Sequence, residues 1–253
     1  MNWFCMAVRG GLPMTLRAVQ SVMAQDCGHV RLVIIDNGTD GTGAKVQKWE
    51  PDWKGKIWLV DNSRGPKSVA ASWNEGIAFA FANMERDGYG PRDQLPVLVL
   101  NNDCELSKPT FRVLNQIGVP FVTPCSLRTQ AEVDAMPIDL NHRTKHPDYT
   151  AFMIRRWVFE KVPFDENFRT AYGEDVDHHM RMHQAGIPAI KVNVPLLSIG
   201  GGTMKANPEL RGEIMRDAAY NRDRFAAKWG FRIPPDDGGA YDRFFAEHPC
   251  TTA

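Results

Sequence analysis

The tightest constraint on the fold comes from residues 96–105, which read P-V-L-V-L-N-N-D-C-E. Their four central apolar residues are typical of a short β-strand that is covered on both faces of a sheet. The apolar run stops abruptly at Asn101, Asn102 and Asp103. Because ligands of open α/β sheets bind beyond the carboxyl ends of the strands, a carboxylate here is well placed to hold a metal ion. A polar turn that caps the next helix is the alternative interpretation.

The first half of the chain repeats this arrangement. Strand-like runs alternate with helical periodicities at residues 3–8, 13–25, 31–35, 57–60, 68–83 and 97–100. The runs at 31–35 and 57–60 also stop at polar residues, Asp36 in one case and Asp61-Asn62 in the other. This alternation predicts an α/β fold with a Rossmann-like, mostly parallel central sheet flanked by helices.

The second half is less regular. Residues 125–148 have no clear periodicity, Ser107 is a good N-cap for a helix that ends near Ile117, and residues 189–194 indicate an edge strand. Residues 174–184 predict a helix that begins with acids and ends before a glycine, as the helix dipole and C-cap preferences favour. We expect the tail from Gly230 onward to lie on the surface.

Composition narrows the class of protein. With 253 residues the chain is near the upper limit for one α/β domain, and 30 basic against 30 acidic residues argue against broad binding to nucleic acid or anionic lipid, although a local basic patch stays possible. Five scattered cysteines without a C-x-x-C pair predict a reduced, cytoplasmic protein. No apolar run approaches the roughly 18 residues of a membrane span, and the first residues indicate a strand rather than a signal peptide.

A dinucleotide-binding site is the first alternative that a Rossmann-like sheet raises. Its fingerprint, G-x-G-x-x-G directly after a strand, lets the backbone approach a pyrophosphate. Neither Arg9-Gly10-Gly11 nor Asp40-Gly41-Thr42-Gly43 has that spacing. The sequence therefore disfavours a nicotinamide or flavin enzyme.

An acidic cluster, Glu174-Asp175-Val176-Asp177, adds to the strand-end carboxylates Asp36 and Asp103. A Mg²⁺ or Mn²⁺ ion held by one or two carboxylates can complete its shell with diphosphate oxygens and water. A further carboxylate could then serve as a base. The alternative is an ordinary helix N-terminus, where acids favour the dipole. We expect Asp177 to pair with Arg181 one helical turn later.

Five motifs occur in an order and spacing that resemble the family 2 glycosyltransferases, most of all the rhamnosyltransferase-like members. They are I-I-D-N-G-T-D-G-T at 34–42, W-N-E-G-I at 73–77, V-L-N-N-D at 99–103, F-D-E-N-F at 164–168 and G-E-D-V-D at 173–177. Lys228-Trp229-Gly230 and residues 241–245 also resemble the end of that group, so the likeness spans nearly the whole chain. It implies the GT-A fold.

The resemblance also implies roles for individual residues. Those that would bind a nucleotide diphosphate sugar are Ala7, Asp36, Asn62, Asn74, Asn101, Asn102 and Asp103. Asp103 would also hold the Mn²⁺ or Mg²⁺ ion, Asp175 would be the catalytic base of an inverting transfer to an acceptor hydroxyl, and Glu174 would orient the acceptor or the base. The nucleotide-sugar-binding half would comprise residues 1–105, the acceptor half 106–203, and a C-terminal helix and tail 204–253.

Two departures from the family pattern bear on this expectation. Ser198 stands where some relatives have a histidine that assists the metal or diphosphate, which predicts weak metal affinity. The first strand ends in Val8-Arg9-Gly10 rather than a Thr-x-Asn turn, which leaves the contacts to the base open on that side. The glycines at 200–202 form a flexible segment that could close as a lid.

Other interpretations stay open at this point. A nucleotidyltransferase that forms sugar nucleotides and a catalytically silent nucleotide- or sugar-binding module are the alternative functions. His179 and His183 have the i, i+4 spacing of a helical zinc site but lack the intervening glutamate, so we expect them and His178 to be surface or substrate-lining residues. The donor sugar, the acceptor (glycan, lipid-linked sugar, protein, small metabolite or modified base) and the oligomeric state are not determined by the sequence.

Overall fold

The computed structural model describes residues 1–89, 95–144, 146–233 and 238–248. Side chains of successive strand residues point alternately to the two faces of one central sheet, and apolar helical faces cover both of them. Phe4 and Met6 pack on one face, whereas Trp3 and Cys5 pack on the other. This double covering explains why the strands read as continuous apolar runs.

The first half of the chain forms a parallel sheet. Its elements are β1 (Asn2–Val8), α1 (Leu12–Met23), β2 (Val30–Asp36), α2 (Thr42–Gln47), β3 (Ile57–Asp61), α3 (Val69–Arg86) and β4 (Pro96–Asn101). The strands lie in the order β3-β2-β1-β4, and all three pairings are parallel. In this register Ala7 lies beside both Ile35 and Asn101, so the carboxyl ends of β1, β2 and β4 meet at one edge.

The second half continues the same sheet with mixed pairing. Its elements are β5 (Cys104–Leu106), α4 (Thr110–Gln116), β6 (Phe121–Leu127), α5 (Gln130–Ala135), β7 (Asp139–Thr144), β8 (Ala151–Arg155), α6 (Arg156–Lys161), α7 (Glu174–Gln184), β9 (Ala189–Ser198), α8 (Gly202–Ala206), α9 (Pro208–Trp229) and α10 (Gly238–Glu247). β8 runs antiparallel to both β4 and β6 and joins the two parts of the sheet.

Two expectations for the second half are wrong, and the structure explains the irregular segment at 125–148. The strand at 189–194 is not at an edge, because β9 extends to Ser198 and lies between β6 on one side and β5 and β7 on the other. Ser107 does not cap α4: the N-cap residue is Pro109, and the Ser107 hydroxyl donates to the Pro195 carbonyl at 2.6 Å. Residues 125–148 contain parts of β6, all of α5 and β7, which are largely exposed and therefore have no amphipathic pattern.

The tail does not lie wholly on the surface. Phe231, Ile233 and aromatic residues of α10 pack against a small core made by Phe168, Met180 and Phe225. Residues 234–237 and 249–253 of the tail, which include Cys250, lie outside the described residues. The remaining four cysteines are free thiols. Within the described ranges, no helix combines the length and the apolar character that crossing a membrane requires.

Candidate active site

A cavity of about 300 Å³ opens where the carboxyl ends of β1 and β4 meet the start of α7. We call it the central cavity. Its lining comes from the ends of β1, β2 and β4, the start of α3, the segment before β8, the segment that leads into α7 with the first residues of that helix, and α8 with the start of α9. The volume is at the lower end of the range for small-molecule sites.

Asp103 lines this cavity and is 9% exposed. Its Oδ2 accepts a hydrogen bond from the backbone N–H of Gly202 at 2.8 Å, and its carbonyl accepts one from Ile199 at 3.0 Å. Only glycine permits this approach, because a Cβ at position 202 would lie 2.7 Å from the Asp103 Cβ. The triglycine segment is therefore packed against the carboxylate through the first residue of α8.

The donor set fits a divalent cation that arrives with a diphosphate. No cluster of three or more His, Cys, Asp or Glu side chains suited to a metal occurs in the part of the chain that the structure describes. Within that same part, the Oδ1 atom of Asp103 has no hydrogen-bond donor and is left as a hard oxygen ligand. One carboxylate suffices when phosphate oxygens and water supply the other ligands.

Glu174 and Asp175 are the first residues of α7 and line the same cavity. Gly173, the N-cap residue, has φ 97°, and a Cβ there would lie 2.8 Å from the Ile233 Cδ1 atom. The tail therefore packs closely behind the loop that presents the two acids.

The surroundings of the two acids raise their pKa values. Glu174 is 5% exposed, and its Oε2 finds no hydrogen-bond partner among the described residues. Burial, and then repulsion from Asp175, raise the pKa of Glu174 well above its usual range. Burial also raises the pKa of Asp175, although the N–H of Val176 donates to its Oδ1 at 2.8 Å and opposes that shift. A carboxylate with a raised pKa is a stronger base once it is ionised.

Asp177, the third acid of the motif, has a structural role. It is fully buried, and its Oδ2 accepts a hydrogen bond from Arg181 Nε at 2.7 Å, which confirms the predicted pair. Its Oδ1 lies 2.6 Å from Lys228 Nζ and accepts a hydrogen bond from Trp229 Nε1 at 2.9 Å. These contacts fasten α7 to the end of α9.

The sequence-predicted residues divide into two groups. The first group lines the central cavity and comprises Ala7, Asn101, Asn102, Asp103, Glu174 and Asp175. Asn102 also fixes the turn after β1, because its Nδ2 donates to the Gly10 carbonyl at 3.0 Å and to Thr15 Oγ1 at 2.9 Å. The β4 end therefore positions both a cavity residue and the loop beside it.

Asp36, Asn62 and Asn74 do not line the central cavity. The Asp36 carboxylate is buried and accepts backbone N–H groups of Gly38 and Gly43 at 2.9 and 2.7 Å. Asn62 donates to Glu75 Oε2 at 2.7 Å. Asn74 holds the backbone N–H and carbonyl of one residue, Phe164, at 3.0 and 2.9 Å. Each of these side chains is engaged in holding a loop.

Sequence reasoning missed several cavity residues, among them Arg9, Lys67, Asp148 and Tyr172. Arg9 follows β1 directly, so the strand-end rule that selected Asp103 could have selected it. Its Nη2 lies 3.0 Å from Glu213 of α9, and it also lines an adjoining polar cavity of about 300 Å³ with Gly38 and Asp40. Tyr172 and Asp148 lie in irregular segments, where no periodicity marks them.

Two of the three histidines of α7, His178 and His179, are not the surface or substrate-lining residues that we expected, because both are buried and neither lines the central cavity. His178 is fully buried: its Nε2 donates to the Val162 carbonyl at 2.9 Å, which leaves its Nδ1 to accept from the Tyr149 hydroxyl at 2.9 Å. His179 is 3% exposed, and burial lowers the pKa of its imidazole to about 3. Its Nδ1 is hydrogen-bonded to the Tyr241 hydroxyl. The polar partners of these two buried rings explain their place in the core.

Comparison with known proteins identifies the fold. No family profile and no curated protein sequence matches the chain. Among solved structures, the mannosyltransferase PcManGT from Pyrobaculum calidifontis, solved with GDP-Man and Mn²⁺, superimposes with a TM-score of 0.59 at 15% identity over 96% of this chain and 69% of its own. GalNAc-T7, solved with UDP, GalNAc and Mn²⁺, gives a TM-score of 0.60 at 13% identity over 100% of this chain and 55% of its own. The chain thus has the α/β fold of GT-A glycosyltransferases, and it spans little more than half the length of GalNAc-T7.

Proposed function

We propose that this protein is a glycosyltransferase that moves a sugar, with inversion, from a nucleotide diphosphate sugar to an acceptor hydroxyl. The observation that carries the proposal is that Asp103, Glu174 and Asp175 line one cavity at the carboxyl ends of the strands. The GT-A fold and the resemblance to the rhamnosyltransferase-like members of family 2 support it. The four free cysteines support a reducing compartment such as the cytoplasm.

The donor would occupy the half formed by residues 1–105. The nucleotide would lie near Ala7, Asn101 and the polar cavity beside Arg9, with the loops that Asp36, Asn62 and Asn74 hold around it. Asp103 would hold a Mn²⁺ or Mg²⁺ ion, which when bound neutralises charge on the departing diphosphate. Arg9 and Lys67, which line the central cavity, add positive charge on the same side.

The acceptor would be activated at the start of α7. Asp175 takes the proton of the acceptor hydroxyl as its oxygen forms a bond to the donor's anomeric carbon, and the bond from that carbon to the diphosphate oxygen breaks. Glu174, whose raised pKa keeps it protonated to higher pH, can donate a hydrogen bond that orients the acceptor.

The experiment that tests this proposal is a thermal-shift panel of GDP, UDP and their sugars with Mn²⁺, with Mg²⁺ and without metal. A ligand that binds only the folded state raises the melting temperature by mass action. We expect one nucleotide to raise the melting temperature only when the metal is present. Asp103→Asn should remove this shift, whereas Asp134→Asn, which changes an exposed acid on α5, should retain it. The absence of any shift with wild-type protein would contradict the proposal.

A further inference from the structure

The segment that leads into the acid pair has an unusual backbone. Thr170 has φ 35°, Tyr172 has φ 79° and Gly173 has φ 97°. Among the described residues, Thr170 and Tyr172 are the non-glycine residues in the left-handed region. This conformation is strained for a side chain with a Cβ, and it persists only where the surrounding structure holds it.

One buried side chain holds this segment. Asn221 of α9 is fully buried, and its Nδ2 donates to the carbonyls of Arg169, Ala171 and Tyr172 at 2.7, 3.0 and 2.9 Å. Its Oδ1 accepts the N–H of Arg169 at 2.9 Å. An amide has two N–H donors, so one of them is shared between two carbonyls. The amide therefore uses both its N–H groups and its oxygen on a single loop.

The loop displays Tyr172 at the central cavity. Tyr172 is 47% exposed, and its hydroxyl donates to the Met204 sulfur at 3.8 Å. Across the described ranges, neither an aromatic ring nor a cation packs on its ring faces. A half-exposed aromatic ring in the wall of a cavity is suited to pack against a ligand.

The charges around the cavity restrict that ligand. Asp103, Glu174 and Asp175 line it together with Asp148, whereas Arg9 and Lys67 are each paired with a glutamate. Glu174, which its raised pKa keeps protonated, would not repel an anion, but the carboxylates of Asp148 and Asp175 would repel an anionic acceptor. A neutral sugar has hydroxyls that donate to carboxylates and an apolar C–H face that packs on an aromatic ring.

We propose that Tyr172 binds the acceptor by packing against one face of a neutral sugar ring, and that Asn221 is the positioning residue that holds Tyr172 there. This inference rests on the proposed function, because it assigns the acceptor of the same site. It names a class of acceptor and a residue outside the motifs that the sequence resemblance uses.

The test measures transfer from the donor found in the thermal-shift panel to three kinds of probe. They are methyl glycosides of neutral hexoses, the matching methyl uronides, and a serine-containing peptide. Donor hydrolysis without acceptor is measured in parallel, because water needs no ring platform. We expect transfer to a neutral glycoside, with KM for that glycoside raised about tenfold in Tyr172→Ala and little changed in Tyr172→Phe.

A second set of variants tests Asn221. Asn221→Ala should raise the acceptor KM, whereas Arg222→Ala, an exposed neighbour on α9, should not. Adding Thr170→Gly to Asn221→Ala should restore part of the loss, since glycine adopts the left-handed backbone without strain. A loss of folded protein would lower kcat and leave the acceptor KM unchanged, so a raised KM identifies the positioning role.

The outcomes distinguish a failure of this inference from a failure of the proposed function. An unchanged acceptor KM in Tyr172→Ala, or preference for the uronide or the peptide, overturns this inference while the transferase stands. Donor hydrolysis without transfer to any neutral glycoside also overturns it. Wild-type protein that neither binds nor hydrolyses any donor contradicts the proposed function itself.

Discussion

The proposed donor side and the proposed catalytic side of the site, called the donor side and the catalytic side below, hold their residues by different means. On the donor side, Ala7 and Asn101 are placed by the register of buried parallel strands, with many apolar contacts behind them. On the catalytic side, the residues before α7 belong to no strand, and Asn221 of α9 holds them through their backbone. One half of the site is thus positioned by a core and the other by a few polar contacts.

The apolar core behind the strands and the buried amide behind the loop respond differently to substitution. A core loses stability gradually as methyl groups are removed, because its contacts are numerous and individually weak. A buried amide that satisfies several backbone groups cannot be removed gradually, since each group left without a partner costs about 1–3 kcal/mol. Single substitutions behind the strands should therefore have graded effects, whereas loss of one polar side chain behind the loop should cost stability and displace the residues that the loop presents.

The largest expected effect separates chemistry from donor binding. Asp175→Asn should lower the transfer rate by about 10²–10⁴-fold, because the neutral amide cannot accept the acceptor's proton. The thermal shift caused by the donor with Mn²⁺ should stay as in wild type. If the donor shift disappears as well, the two sides do not act separately. Asp134→Asn serves as the control for loss of one surface charge.

The next effect is on stability and concerns the strand that both halves share. Leu98 of β4 is fully buried, and β4 pairs with β1 on one side and with β8 on the other. Leu98→Ala should lower the free energy of unfolding by about 2–5 kcal/mol in urea melts. Ile138→Ala, at an exposed position, should change it by less than about 0.5 kcal/mol. Two separate unfolding transitions, only one of them shifted, would contradict a shared core.

A smaller effect concerns the contact between Asp103 and α8. Gly202→Ala should push the two apart, because the new Cβ would lie 2.7 Å from the Asp103 Cβ. We expect about tenfold weaker donor binding with Mn²⁺, as the overpacking costs about 1–3 kcal/mol. Gly212→Ala in α9, where the nearest atom is 3.7 Å away, should leave binding unchanged. Equal binding in both variants would show that α8 does not support the metal site.

The smallest effect concerns the buried acid of the catalytic side. The pKa of Glu174 is higher in the folded protein than in the unfolded chain, where it is near 4.5. The free energy of unfolding therefore falls as the pH rises above about 4.5, and it stops falling once the pH exceeds the folded-state pKa. Glu174→Gln should therefore raise the melting temperature by a few degrees at neutral pH, and this gain should vanish as the pH falls toward 4. A gain that is independent of pH would indicate a packing effect.

Much of the donor side could be predicted from the sequence because its signals are local. An apolar run followed by a polar residue marks both a strand and its carboxyl end, so Asp36 and Asp103 are placed correctly on the sheet. The direction of a side chain at such an end depends on the neighbouring loop, which is why Asp36 binds backbone N–H groups of its own turn. The Asp177–Arg181 pair was predictable because it spans one helical turn.

The catalytic side was less predictable because its determinants are distant in the chain. Asn221 is an ordinary polar residue in a polar helix, and only the tertiary structure places it behind residues 169–172. The burial of His178 depends in the same way on the aromatic residues Phe164 and Tyr149 that pack around it. Periodicity reports which face of an element is covered but not which side chains meet there.

The ion pair between Arg9 and Glu213 has a consequence for the order of folding. It joins residues 204 positions apart, whereas β1, β2 and β3 pair with near neighbours in the chain. Contacts between distant residues require closure of long loops and form more slowly than local ones. We therefore expect the strands to assemble first and the rim of the cavity to close last, when α9 docks. A partly folded chain would then have its donor side before it could carry out any transfer.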